Sequence, residues 1–322
     1  MLALRLDAVE TGPALQNIAK PQPGPGEVRL RIRACGLNFA DLLMLEGKYQ
    51  ERPALPFTLG MEVSGIVDAL GAGTSGPAPG SRVAVVGGHG GLAEFGCYPA
   101  AACTLIPKTM SFEQAAAFQI AYGTSHMALD HRAHLRAGET LFVTGAAGGV
   151  GLTAVEIGKR MGARVIASAR GAEKLRIAQD AGADALIDSN TPGLRDTLKS
   201  LGGIDVVYDT VGGAAFMEAL RATRPEGRLI PIGFAGGDVP QIPSNLLLVK
   251  NLSVIGLYWG GYLKFAPETV ARSMATLFEW YGAGGLHPHI SHVIPLPRAS
   301  DGLELLRRRQ STGKVVVVMP EA

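Results

Sequence analysis

The chain is 322 residues long, 47% apolar and 18% charged, with a formal net charge of +2. That length allows two domains, and the charge content excludes a disordered or nucleic-acid-coating chain and implies no strong polyanion attraction. Three cysteines (Cys35, Cys97, Cys103) with no CxxC pair exclude a disulfide framework and point to a reducing, cytoplasmic setting. The N-terminal MLALRLDAVE lacks a signal peptide's apolar core, and no apolar run approaches the ~18 residues that span a bilayer.

Residues 1–110 read as mainly β. After the rigid turn Pro21–Gly26, the alternating EVRLRIRA of Glu27–Ala34 predicts a half-buried strand. Cys35–Leu45 reads as a loop entering a short helix, Glu62–Leu70 as an apolar strand, and Pro79–Val86 as a turn into the next. The GGHGG of Gly87–Gly91 is a turn before Leu92–Pro99. Short strands with frequent Gly and Pro punctuation predict a barrel-like or sandwich domain.

The pattern changes after Ser111. Phe112–Ala121 and Thr124–His134 are helix candidates. Strands at Thr140–Thr144, Arg164–Ser168, Ala185–Asp188, Ile204–Asp209 and Arg228–Gly233 then alternate with helices, and Leu252–Tyr258 is expected as the last long strand of the series. Such alternation of apolar strands with helices means a doubly wound parallel sheet. Helix Pro267–Tyr281, strand His289–Ile294, helix Ala299–Arg309 and strand Lys314–Met319 close the chain and suggest a return to the first domain. The predicted division is 1–121, 122–260 and 261–322.

LFVTGAAGGVG (Leu141–Gly151) is the central motif. Ala146, Gly148 and Gly151 satisfy the A-x-G-x-x-G form of the dinucleotide fingerprint inside a βαβ unit of about 30 residues. Gly149 and Val150 complete the turn whose unpaired N–H groups would face a pyrophosphate. The same stretch fits the T-G-x-x-x-G-x-G of short-chain dehydrogenases (Thr144, Gly145, Gly149, Gly151), but no tyrosine has a lysine four residues on, which rejects that family. No acid ends the second strand. Ser168, Arg170 and Lys174 stand there instead, a donor and two cations suited to a 2′-phosphate, so NADPH is expected over NADH.

With both halves read, the chain resembles the medium-chain dehydrogenase/reductase superfamily, specifically its zinc-free quinone oxidoreductase branch. PGPGEVRLRI, ACGLNFADLLMLEGKY, PFTLGMEVSGIV, GAAGGVG, DVVYDTVGG, GRLIPIGFAGG, NLLLVKNLSVIGLYWGGY and TGKVVVV carry the resemblance. It implies an α/β chain with a GroES-like β-barrel catalytic domain and a Rossmann domain with a doubly wound parallel sheet. Where zinc alcohol dehydrogenases carry a ligating cysteine and histidine, this chain has Asn38 and Met61, and the structural-zinc lobe is absent, so no metal is expected. Glu62 is expected to be a structural hydrogen-bonding residue. The HPHISH histidines, His287, His289 and His292, are read as surface or interdomain residues. Without zinc, quinones and conjugated carbonyl compounds suit the site better than alcohols.

Further residues are expected from the resemblance. Asn38, Asp41 and Tyr49 line the substrate site: Asn38 holds a carbonyl oxygen or the nicotinamide ribose, Asp41 orients Tyr49 or backbone, and Tyr49 donates to developing oxyanion charge. Thr124, Gly233, Phe234, Ala235, Leu257, Tyr258 and Trp259 border the cofactor, Lys314 either reaches it or ends the chain's last loop, and Asn190 reaches the adenine ribose. Leu252–Tyr258 is the expected homodimer edge. The expected activity is NADPH-dependent reduction of a quinone or related enone. The alternatives are an enoyl reductase acting on an enone or acyl-CoA thioester, with Arg52 and Lys264 as basic rim candidates, and a non-catalytic NADPH-binding protein.

Overall fold

A computed structural model describes residues 1–320, which fall into two units, residues 1–120 with 288–320 and residues 121–287. The first unit opens with strands β1 (Leu2–Leu6), β2 (Pro13–Asn17), β3 (Glu27–Leu37), β4 (Phe57–Thr58), β5 (Glu62–Leu70), β6 (Arg82–Val86), β7 (Phe95–Pro99) and β8 (Thr104–Leu105). The second contributes β9 (Thr140–Thr144), β10 (Arg164–Ala169), β11 (Ala185–Asp188), β12 (Ile204–Asp209), β13 (Thr223–Pro231) and β14 (Ser253–Val254). The chain then returns to the first unit with β15 (Ile290–Pro295) and β16 (Lys314–Val318).

In the first unit β3 is the organising strand. Its alternation of half-buried and buried residues puts Val28, Leu30 and Ile32 into a core shared with Leu4, Val63, Val83 and Val317. It lies between β16 and β5, antiparallel to both, in the sheet order β15-β16-β3-β5-β6-β8, and β7 also pairs with it. β3 runs to Leu37, three residues past the expected end, because its pairing with β16 continues to Leu37 opposite Val315.

The second unit holds a six-stranded parallel sheet in the order β11-β10-β9-β12-β13-β14. β9 is buried at all five positions, as burial on both faces requires. The strand order reverses beside β9, which is the switch point where ligands of such sheets bind.

Three expectations differ from the structure. Leu252–Tyr258 is not one long strand: only Ser253–Val254 pairs with β13, because Leu252 turns into the core, Gly256 follows, and Trp259 opens a helix, Trp259–Phe265. The return to the first unit comes at Pro288 rather than 261. The helices Trp259–Phe265 and Pro267–Gly282 stay with the second unit: His126 Nδ1 meets Ser273 Oγ at 2.8 Å, Trp280 packs edge-on against His126, and Tyr262 does the same against His131. The expected helix Phe112–Ala121 is two helices, Phe112–Ala116 and Gln119–His126, the second running on as a π-helical turn to Arg132 in place of Thr124–His134. Among the described residues no helix is long and apolar enough to cross a membrane.

Candidate functional site

In the first unit, strand register gathers the polar residues. Glu62 lies opposite Gly36 across β3 and β5, and Val315 opposite Leu37 across β3 and β16. Lys314 therefore stands level with Asn38, where β3 gives way to the helix Phe39–Leu45. The Lys314 Nζ donates to Leu37 O at 2.9 Å, Asn38 Oδ1 at 2.7 Å and Glu62 Oε1 at 2.7 Å. Asn38 Nδ2 donates to Glu62 Oε1 at 2.9 Å and to Gly36 O at 3.3 Å, and Glu62 Oε2 accepts from the Ile120 N–H at 3.1 Å. Lys314 and Glu62 are 5% and 1% exposed. Losing one partner of such a pair costs about 3–5 kcal/mol, since the other charge is left buried alone. Gly36 has no side chain because a Cβ there would collide with the Ala116 carbonyl oxygen.

Asp41, in the first turn of that helix, accepts the Asn38 backbone N–H at 2.7 Å. Burial pushes its carboxyl up to about 7, against the lowering influence of that N–H and of the Lys314 charge. Burial also pushes the Cys35 thiol well up, reinforced by Asp41 and Glu62, so Cys35 is an inert core residue. Tyr49 is half-buried and packs against the first unit's core.

This donor set does not fit a catalytic zinc ion. An amide and a thioether stand at positions 38 and 61, and the nearby carboxylate already holds an ammonium; zinc requires three or four N, S or O ligands in tetrahedral array. The histidines are dispersed in their bonding: His287 meets Glu156, His289 meets Thr312 and His292 meets Ser291.

In the second unit, the residues expected to bind the cofactor follow the carboxyl ends of parallel strands. Ala146 and Gly148–Gly151 follow β9, Arg170 and Lys174 follow β10, Asn190 follows β11, and Gly233–Ala235 follow β13; Ser168 is buried near the end of β10. The helix Gly149–Arg160 begins after Gly148, which gives it no side-chain cap, leaving N–H groups of its first turn for a ligand. Gly151 is required because a Cβ would collide with the Gly145 carbonyl oxygen. That close approach seats the helix on the turn, so the residues fit a pyrophosphate-bearing dinucleotide.

Two polar clusters that the sequence reading does not single out hold this edge. Asp209 accepts from Thr144 Oγ1 at 2.6 Å and from the Gly212 N–H at 2.8 Å, while Thr210 bonds back to Thr144 through its backbone N–H and its hydroxyl. Burial raises the Asp209 carboxyl, opposed by these bonds. Ser125 Oγ lies 2.9 Å from Val150 O, 2.8 Å from Thr153 Oγ1 and 2.9 Å from Tyr208 OH, tying the first turn of the Gly149 helix to its neighbours. The visible signal was DVVYDTVGG, whose Tyr208 and Asp209 are polar residues inside an otherwise buried strand.

The remaining expected residues are also placed. Ala235 N–H donates to Thr210 O at 3.1 Å, which pins the Gly233–Ala235 segment, and Phe234 is 40% exposed. Asn190 N–H donates to Asp188 Oδ1 at 2.9 Å. Thr124 is buried next to Gly123, whose missing side chain admits the Trp259 indole: a Cβ would lie 2.9 Å from Nε1. Leu257 is half-buried and Tyr258 is 39% exposed. Lys314 differs from expectation, since its ammonium spends its three hydrogens inside the first unit. Asn38 likewise commits both amide hydrogens, which leaves none for a carbonyl ligand.

Known proteins share this two-unit architecture. The alcohol dehydrogenase GroES-like domain family matches residues 24–108, and the zinc-binding dehydrogenase family matches residues 149–279. A quinone oxidoreductase-like protein 2 homolog of Nematostella vectensis is 42% identical over 91% of this chain and 82% of its own. The quinone oxidoreductase of Thermus thermophilus, solved also in complex with NADPH, superposes with a TM-score of 0.87 at 34% identity, covering 99% of this chain and 100% of that one. The Escherichia coli quinone oxidoreductase complexed with NADPH gives a TM-score of 0.90 at 26% identity, with 99% and 100% covered. The chain belongs to the medium-chain dehydrogenase/reductase superfamily, as an oxidoreductase of its quinone oxidoreductase-like kind.

Proposed function

We propose that this protein is an NADPH-dependent reductase of quinones or related conjugated carbonyl compounds that works without zinc. The observation that carries this reading is the Lys314 ammonium on Glu62 and Asn38, a protein cation at the corner where zinc alcohol dehydrogenases carry metal ligands. Without a Lewis acid an alcohol is hard to deprotonate, whereas a quinone or enone accepts hydride directly. When bound, NADPH would supply that hydride. Gly148, Gly149, Val150 and Gly151 would hold its pyrophosphate through backbone N–H groups. Ser168, Arg170 and Lys174 would meet the 2′-phosphate, with Asn190 on the adenine ribose. Thr124, Gly233–Ala235 and Leu257–Trp259 would border the nicotinamide, and Tyr49 would donate a hydrogen bond to the charge that develops on the acceptor oxygen.

The NADPH-bound state of the two bacterial quinone oxidoreductases supports the cofactor assignment. Titration followed by nicotinamide fluorescence tests it: NADPH should bind at least tenfold more tightly than NADH, and R170A with K174A should remove that preference. Equal affinity in the unaltered protein would remove the 2′-phosphate argument. A parallel screen of quinones, enones and enoyl thioesters separates the substrate classes. We also propose a cytoplasmic homodimer joined at the β14 edge. The adjoining helix Ser244–Lys250 leaves Leu248 and Val249 77% and 68% exposed, a patch that self-association would cover. Light scattering should return twice the 33.6 kDa chain mass; a monomeric mass would refute the dimer.

A further inference from the structure

We propose that Lys314 is a positioning residue whose ammonium turns the Asn38 carboxamide, so that Asn38 has no amide hydrogen for a ligand and meets one only as a hydrogen-bond acceptor, through Oδ1. The ammonium donates three bonds, and one of them fixes Oδ1 at 2.7 Å. The amide nitrogen is then held by Glu62 Oε1 and Gly36 O, and a carboxamide nitrogen has only two hydrogens to give. Asn38 is partly exposed while Lys314 and Glu62 behind it are buried. A buried charge pair thus sets the polarity of one accessible side chain. The ligand group chosen by this arrangement is a hydroxyl, such as that of a sugar or of a reduced quinone, and a bare carbonyl oxygen is rejected. The charged and titratable groups around the corner are Asp41, Glu62, Lys314 and the Cys35 thiol, and only Lys314 is a cation.

The inference rests on the reductase reading, so the test carries a readout that does not depend on turnover. K314M alone strands a buried carboxylate and risks unfolding. The informative variant is K314M with E62Q, which removes both charges together and keeps an acceptor for the Ile120 N–H. Its melting temperature should lie within a few degrees of the unaltered protein, while kcat for NADPH oxidation falls at least tenfold. N38A should show the same loss, and adding N38A to the double variant should lower kcat little further. In amide NMR spectra, the Asn38 side-chain NH2 pair should exchange slowly in the unaltered protein and at least tenfold faster in the double variant. Recovery of both stability and kcat in the double variant would overturn the proposal, leaving a structural ion pair only. If the unaltered protein turns over no acceptor, the reductase reading fails and the NMR result decides alone: unchanged exchange of the Asn38 amide overturns the positioning role.

Discussion

Asp41 is fully buried, and its carboxyl is pushed up to about 7 by that burial. In the unfolded chain it titrates near the ordinary aspartate value of about 3.9. Between those two values the folded state holds a proton that the unfolded state has released. Stability therefore falls as pH rises through that window and levels off above the folded value. Asp41→Asn keeps an oxygen for the Asn38 N–H but cannot ionise. Urea unfolding at pH 5 and pH 8 should show a clear drop in midpoint for the unaltered protein and a much smaller one for Asp41→Asn; an equal drop in both would remove Asp41 as the source. Sequence exposed Asn38 and Asp41 as candidates because they occupy a motif position, but it could not show what they bond to. Lys314 looks like the end of a loop in TGKVVVV. Only the pairing of β16 with β3 and of β3 with β5 brings it to Asn38 and Glu62, across more than 250 residues of chain.

At the scale of elements, the turn between β9 and the helix Gly149–Arg160 separates folding from binding. Gly151→Ala would drive a Cβ into the Gly145 carbonyl oxygen, and the nearest atoms, of Gly145 and Ala146, are all backbone, with no flexible side chain to yield. Overpacking of this kind costs about 1–3 kcal/mol, so the melting temperature should drop by several degrees. Gly148 has extended backbone angles, φ −81° and ψ 175°, and a Cβ there would lie 3.3 Å from Gly145 O. Gly148→Ala should leave thermal stability nearly unchanged while weakening NADPH binding at least tenfold, because the added methyl would face the approaching pyrophosphate. Unchanged affinity in Gly148→Ala would place the pyrophosphate elsewhere. The glycines of this turn were legible because their spacing is local. The Asp209–Thr144 latch beneath them was not, because it joins residues 65 apart in the chain and depends on β12 lying next to β9. Asp209→Ala would leave the Thr144 hydroxyl and the Gly212 N–H unpaired, at about 1–3 kcal/mol each. A melting temperature unchanged in Asp209→Ala would deny the latch.

Over the whole molecule, the alternation of strand and helix after residue 140 made the parallel sheet readable, and the Gly- and Pro-punctuated strands before it marked the β-rich unit. The misplaced features lie where local pattern and tertiary packing disagree. LSVIGLY alternates like a strand, yet Gly256 and the seating of Trp259 against Gly123 end it after two residues. The helix Pro267–Gly282 could follow either unit by sequence; Ser273 and Trp280 assign it through their contacts with His126. These features bear on the proposed reaction, hydride transfer from NADPH to a conjugated carbonyl acceptor without zinc. The most direct measurement is NADPH oxidation by the purified protein with a simple benzoquinone or naphthoquinone, before and after exhaustive dialysis against EDTA. The expected result is quinone-dependent turnover at the same rate in both samples. Turnover abolished by chelation and restored by zinc, or no turnover with any quinone or enone, would contradict the account.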